Sequence, residues 1–485
     1  MTFNSLAFLI FFPTVALLYF VLPKKLTWVW LLCASYFFYM YWNPKLVFLI
    51  LFTTLVSYFC GLGMAKAKSK RLRVLLLSAA LLSSLGVLGF FKYQGFFAET
   101  VNGISGLFGG GAVVSSLDLI LPVGISFYTF QTLSYVIDVY RGKIEAERHF
   151  GYFALFVSFF PQLVAGPIER PENLLPQLKE KHKFEPMRAY SGLSKMAVGY
   201  FKKIAVADVV AEYVNAVYNN ASAATGPLVI VSTVLFAVQI YCDFSGYTDI
   251  AIGCARIMGI DLMKNFDRPY GAADIRDFWK RWHISLTSWF TDYLYIPLGG
   301  SRRGQARRML NIMAVFLVSG LWHGARWTFV IWGGIHGLYQ IIGHLTRAPR
   351  QKLYSALHIK TDTKLFAAGQ RICTFAFVCF AWIFFRANSF SDLGKLLSAL
   401  FKGWGISEIG AAMSSIGITV PAVVFIALAV FIMSRLDVLA QKEAALIETP
   451  RTGYAVFATL VWIVAAAWLM LAGVGGTSSF VYFQF

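Results

Sequence analysis

The sequence predicts an all-α polytopic membrane protein of about 11–13 transmembrane helices with additional re-entrant or interfacial helices. Three observations carry that prediction. Of the 485 residues 58% are hydrophobic, 17% aromatic and only 14% charged, too apolar for a soluble domain of ordinary composition. Apolar windows of roughly 20 residues, the length that crosses a bilayer as helix, recur almost to the last residue. The 43 lysines and arginines fall in short clusters between those windows, where they read as topology signals. A net charge of +19 without one continuous basic face gives no support to a nucleic-acid partner. The partner that composition does imply is the lipid bilayer.

Counting basic residues in short loops places the N-terminus outside. Helices are expected at about 5–22, 27–41 and 45–64, leading to a cytoplasmic loop at Lys66–Arg73. The first of them lacks a basic start and a small-residue cleavage site, so it reads as a retained helix rather than a signal peptide. A fourth, about 74–92, leads out to a glycine-rich loop at Gly103–Gly111. A fifth, about 118–138, returns to Arg141, Lys143 and Arg148.

The next apolar run, Phe150–Val164, is short for a crossing and ends in proline and glycine, so a re-entrant half-helix is expected. Helices at about 190–218 and 227–250 form the following hairpin, with an outside turn at Asn219–Gly226. The second carries Gln239, Asp243, Ser245 and Asp249, polar groups that a lipid-facing helix would not hold. Asp243 and Asp249 fit either structural hydrogen bonding or proton relay, with structure the preferred reading. Asp274 is the expected N-cap of an interfacial helix from about 275 to 290, with Asp277 as its capping-box partner. Helices at about 309–321 and 327–345 follow, and their turn falls at His323-Gly324-Ala325. Spans at about 366–385, 418–434 and 454–473 complete the chain, with an interfacial helix around Lys395–Lys402.

Histidines mark the candidate chemistry. His323 sits between a tryptophan and a glycine in Ser319–Gly337 (SGLWHGARWTFVIWGGIHG). A charged group at membrane depth costs about 2.5–3.5 kcal/mol on insertion scales, so an ionisable one there faces protein or a wet cavity. The sequence supports a turn-capping and a reactive reading of it equally. If 275–290 is one helix, Trp279, His283 and Thr287 share a face; an interfacial aromatic belt is the competing account. Six of the 13 tryptophans (Trp279, Trp282, Trp289, Trp322, Trp327 and Trp332) lie between 279 and 332, a density that suggests a walled pocket. His336, Gln340 and His344 form a polar stripe beside Gly333 and Gly337, which suits close helix packing better than a metal site. The six cysteines show no CxxC spacing, and neither a disulfide nor zinc is expected. No phosphate loop or Ser/His/Asp series supports hydride or ATP chemistry.

Taken in order, Ile125–Asp138 (ISFYTFQTLSYVID), Phe159–Pro171 (FFPQLVAGPIERP), Tyr241–Gly253 (YCDFSGYTDIAIG), Asn265–Gly304 and Ser319–Tyr339, followed by Phe380–Phe390 (FAWIFFRANSF), resemble the successive signatures of the membrane-bound O-acyltransferase (MBOAT) family. The likeness is greatest to bacterial members that O-acetylate alginate and other exopolysaccharides. It implies a catalytic core over 118–390, preceded by N-terminal helices over 1–117 and followed by C-terminal interfacial and transmembrane helices over 391–485.

The resemblance also implies helices enclosing a tunnel, in which a cytoplasmic acyl donor meets an acceptor from the other side. It makes His323 the catalytic residue, acting as general base, and His283 the second active-site position, orienting or polarising the acyl group; many eukaryotic relatives carry Asn there. Trp279, Trp282, Trp322, Trp327, Asp243 and His336 are the candidate tunnel lining. No permanently bound cofactor is implied. The donor would be acetyl-CoA or a related thioester, the partner an extracytoplasmic polysaccharide acetyltransferase, and the location the bacterial inner membrane. Teichoic-acid D-alanylation is the alternative within the family, and a polymer or lipid transporter the alternative outside it.

Overall fold

The computed structural model describes residues 1–117, 119 and 121–446, with side chains described as far as 438. It is helical throughout, with no strand among the described residues. The chain packs as two units, Met1–Ala197 with Tyr247–Met263, and Val198–Gly246 with the residues from Lys264 onward. Five helical stretches are long and apolar enough to cross a bilayer: Pro44–Lys66, Lys70–Leu107, Gly226–Ile257, Lys364–Arg386 and Val420–Val438. The shorter Leu6–Val21 is equally apolar in character. Other expected spans, such as Lys24–Met40, Ile125–Arg141 and Trp327–Leu345, are shorter or more polar helices that bury much of their surface against protein. The expected span at 454–473 lies outside the described residues.

In the first unit, Lys70–Leu88 does not stop near residue 92. It continues through a π-helical turn, Gly89–Tyr93, into Gln94–Leu107. Side chains explain the extension, because Asn102 Oδ1 accepts from Val113 N at 2.8 Å and Val114 N at 3.0 Å, and Gln94 Oε1 from Leu117 N at 3.0 Å. The returning chain is thus fastened along the helix, and the glycine-rich loop begins only after Leu107.

The segment expected to be re-entrant is short, broken and, from Phe153 onward, buried. Phe150–Ser158 and Phe160–Leu163 are separate helices divided at Phe159. A break in apolar surroundings leaves backbone groups that need partners. Gln131 Nε2 and Gln162 Nε2 both donate to Phe156 O, at 2.8 and 2.9 Å, and Phe160 N donates to Ser35 Oγ at 3.1 Å. Further on, the carboxyl of Glu169 is completely buried and accepts from Met263 N and, at 2.8 Å, from Asn173 Nδ2.

In the second unit, Gln305–His323 and Trp327–Leu345 form the closest-packed hairpin. Gly320 faces the carbonyl of Phe329, and Gly333 faces that of Phe316; a Cβ at either position would enter the other helix's backbone. The glycines of the His336 stripe therefore serve helix contact, as their spacing suggested. Near the end of this helix His344 Nε2 lies 3.4 Å from Arg308 Nη1.

Candidate active site

Asp274 starts the next helix as expected: its side chain accepts from Asp277 N at 2.7 Å, and Asp277 Oδ2 in turn accepts from Ala273 N at 3.2 Å. The single helix expected over 275–290 does not form. Ile275–Arg281 ends, Trp282 is extended, His283 is left-handed at φ 46°, and a new helix runs Ile284–Phe290. The i,i+4 alignment of Trp279, His283 and Thr287 is thereby overturned. Trp279 turns to another partner, donating from Nε1 to His336 Nδ1 at 3.2 Å.

A left-handed non-glycine residue costs about 1–3 kcal/mol and persists only where the surroundings enforce it. Here a second segment does so. Ile284 N donates to Asn265 O at 2.9 Å and Asp267 N to Arg281 O at 2.9 Å, so residues 265–267 run alongside the break and take up its exposed backbone groups. The Asn265 side chain completes the clamp. Its Oδ1 lies 3.1 Å from His283 Nδ1, 2.9 Å from Ser285 Oγ and 3.3 Å from Ser285 N.

His323 reaches the same place from a helix end. It is the last residue of Gln305–His323, and Gly324 leaves the helix in extended conformation. A side chain at 324 would run into the ring of Phe329, which accounts for glycine after the histidine. The rings of His283 and His323 are centred 6.1 Å apart, and both residues are buried. Aromatic rings wall them in: His323 lies 4.9 Å from Trp322, 5.1 Å from Trp332 and 5.7 Å from Phe385, and His283 lies 4.7 Å from Phe244. Trp382, from outside the tryptophan-dense window, stacks on Trp332 at 5.7 Å and packs against Trp282 at 5.3 Å.

The other expected lining residues divide. Trp279 and His336 are bonded to each other, Trp282 is fully buried, and Trp322 packs on both histidines. Trp327 is 49% exposed at the start of its helix. Asp243 is buried with its carboxylate 2.7 Å from Lys203 Nζ, and Asp249 pairs with Lys195 at 2.7 Å. Both pairings fit the structural reading of these aspartates.

A cavity of about 1210 Å³ is lined by residues one helical turn from each histidine, but by neither histidine itself. Its buried wall includes Trp279, Leu286, Phe290 and Ser319, while Arg276, Lys280, Arg347 and Arg350 line its exposed side. Ser319 is one helical turn from His323, and Thr287 one turn from His283, whose carbonyl its N–H reaches at 2.9 Å. An apolar throat with a basic entrance suits an elongated molecule that carries anionic groups at one end. Asn265, Ser285, Phe244, Phe385 and Trp382 were not singled out in the sequence. Each lies within one of the family-like stretches, and for Asn265 the further local signal is a polar residue in the short loop before Pro269.

Residues 147–390 match the model of the MBOAT, membrane-bound O-acyltransferase, family. The chain is 35% identical over 439 residues to the probable alginate O-acetylase AlgI of Pseudomonas putida, covering 89% of this chain and 87% of that protein. To the peptidoglycan O-acetyltransferase of Helicobacter pylori it is 35% identical over 78% of this chain and 74% of that one. To the teichoic acid D-alanyltransferase of Bacillus subtilis it is 27% identical over 56% and 70%.

Proposed function

Because the chain belongs to the membrane-bound O-acyltransferase family and is a multi-pass membrane enzyme, we propose that it transfers an acetyl group from a cytoplasmic thioester for O-acetylation of an exopolysaccharide such as alginate. The observation that carries this reading is the buried His283–His323 pair, with ring centres 6.1 Å apart inside an aromatic wall; a cavity with basic residues on its exposed side reaches Thr287 and Ser319, one helical turn from each histidine. Acetyl-CoA, or a related thioester with phosphate groups, matches that cavity in chemistry: guanidinium and ammonium groups for the anionic end, apolar wall for the pantetheine-like arm.

In the reaction, an acceptor hydroxyl attacks the thioester carbonyl. A C–O bond forms, the C–S bond breaks, the hydroxyl proton moves to an imidazole of the pair, and that proton is then given to the departing thiolate. Such positioned proton transfer is worth about 10²–10⁴-fold. Exclusion of water by Trp322, Trp332 and Phe385 strengthens every charge interaction at the reacting centre. The acceptor is an extracytoplasmic partner that carries the acetyl group on to the polymer, and the location is the bacterial inner membrane.

Identity to the alginate and peptidoglycan O-acetyltransferases over most of this chain supports acetyl transfer over D-alanyl transfer, whose relative matches a smaller share at lower identity. O-acetyl analysis of cell polysaccharides tests the reading. A His323→Ala strain with normal membrane levels of the protein should lose O-acetylation; unchanged acetylation would remove His323 from the chemistry.

A further inference from the structure

The three contacts to Asn265 Oδ1 decide more than the shape of the break at His283. The backbone N–H of Ser285 can only donate, so the amide atom it meets at 3.3 Å is an acceptor, the oxygen. That same oxygen receives Ser285 Oγ–H at 2.9 Å and lies 3.1 Å from His283 Nδ1. The nitrogen facing it must therefore carry the proton. In a neutral imidazole the proton on Nδ1 leaves the lone pair on Nε2.

We propose that Asn265 is a positioning residue that fixes His283 in the Nδ1–H tautomer, so that His283 meets the substrate as a hydrogen-bond acceptor through Nε2. The inference rests on acyl transfer as the reaction and assigns the proton within it. A neutral ring so held cannot donate from Nε2 to the acyl oxygen, the polarising role that the family resemblance suggests for this position. Its Nε2 accepts a hydrogen bond from the attacking hydroxyl instead and orients it, while His323 takes the proton. As the C–O bond forms, the proton passes from oxygen to His323. The resulting His323 imidazolium gives the proton to the thiolate released when the C–S bond breaks, and His283 keeps its Nδ1–H on Asn265 throughout. The two rings are centred 6.1 Å apart, close enough to engage one hydroxyl together.

The fold makes Asn265 fit for this task. Its backbone is tied to Ile284, and its side-chain oxygen is held by both polar hydrogens of Ser285. Neither rotation of the amide nor a slip of the loop is then free, and the orientation of the imidazole follows from two residues with no other evident role in the site.

The test reads the tautomer directly. Full-length protein labelled with 15N-histidine in lipid nanodiscs gives separate nitrogen resonances for protonated and bare ring positions, and the His283 signals are assigned by their loss in His283→Gln. The expected result is a protonated Nδ1 and a bare Nε2; the opposite pattern in the unmodified protein overturns the proposal. Asn265→Leu should mix the tautomers and lower turnover of acetyl-CoA by about 10²–10⁴-fold. Asn265→Asp, which keeps the acceptor, should restore both the tautomer and much of the turnover. An Asn265→Leu protein with an unchanged tautomer also overturns the proposal. If that variant fails to fold, the spectrum of the unmodified protein decides. Because the nitrogen shifts need no substrate, absence of acyl transfer from every form would count against the proposed function and not against the tautomer.

Discussion

Gly333 and Gly334 are neighbours on one helix, yet substitution by alanine should separate them sharply. A methyl group on Gly333 would enter the space of the Phe316 carbonyl and come 3.2 Å from the Cα of Gly320, both backbone of the facing helix. Backbone cannot rotate away as a side chain can, so the two helices must part. Overpacking of this kind costs about 1–3 kcal/mol, sometimes more. The displacement also reaches the site, since Trp332 packs 5.1 Å from His323 and His323 ends the helix that Gly320 belongs to. A shift of about 1 Å in a catalytic group is enough to lower turnover by roughly a hundredfold. At Gly334 the methyl would meet only Leu317 Cδ2, at 3.5 Å, an ordinary contact, so Gly334→Ala should be neutral or slightly stabilising. Thermal unfolding of the purified variants in detergent, together with O-acetyl analysis in cells, compares them. Equal melting temperature and equal activity for Gly333→Ala and Gly334→Ala would refute the argument that close backbone contact sets the position of His323.

Other consequences arise from buried charge. Burial raises the Glu169 carboxyl to about 7 from its usual value near 4.5, against the lowering effect of its bonds from Met263 N and Asn173. The folded state therefore holds a proton that the unfolded chain releases, and this contribution to stability is present in full below about pH 4.5 and lost as pH rises through about 7. Glu169→Gln should flatten melting temperature against pH across that window, and an unaltered slope would show that Glu169 is not its source. The Lys203–Asp243 pair, 2.7 Å apart and buried, should behave as a unit. Removing Lys203 takes the shared ammonium from both Asp243 and Asp208, at a cost of about 3–5 kcal/mol, whereas removing Asp243 leaves Lys203 its bond to Asp208 at 2.8 Å and costs less. Lys203→Met combined with Asp243→Leu should therefore recover part of the folded yield that Lys203→Met alone loses, and strict additivity in the cycle would argue against the pair.

Much of the fold is legible in the sequence because the bilayer restricts the choices. Apolar runs bounded by basic clusters locate most helices to within a few residues, as at Gln305–His323 and Trp327–Leu345. The broken segment at Phe150–Leu163 is legible too, because Pro161 and the Ala-Gly-Pro after it cannot continue a helix. The extension of the fourth helix to Leu107 is not. Gly103 and Gly106 argue against helix on propensity, and what overrides them is Asn102 and Gln94 reaching residues more than ten positions ahead. The site divides in the same way. Both histidines and four of the tryptophans stand out by spacing and density, whereas Phe244, Trp382 and Phe385 come from distant helices, and nothing near them in the chain marks them as neighbours of a histidine.

The break at His283 shows why the rest was hidden. Periodicity and capping both favour one helix from 275 to 290, and on local terms they are sound: Asp274 caps it and no proline or glycine interrupts it. What ends the helix is a contact made from outside, the backbone and side chain of Asn265 pairing with residues 283–285 and the N–H of Asp267 with the carbonyl of Arg281. A continuous helix would have spent the N–H of Ile284 and Ser285 on its own carbonyls and kept His283 in register with Trp279. Interrupting it sends Trp279 to His336 and turns the imidazole toward His323. His323 likewise stands at a helix end, where Gly324 lets the chain leave beneath Phe329. Each histidine thus sits where regular backbone stops, and local rules fail at the positions whose geometry the chemistry requires.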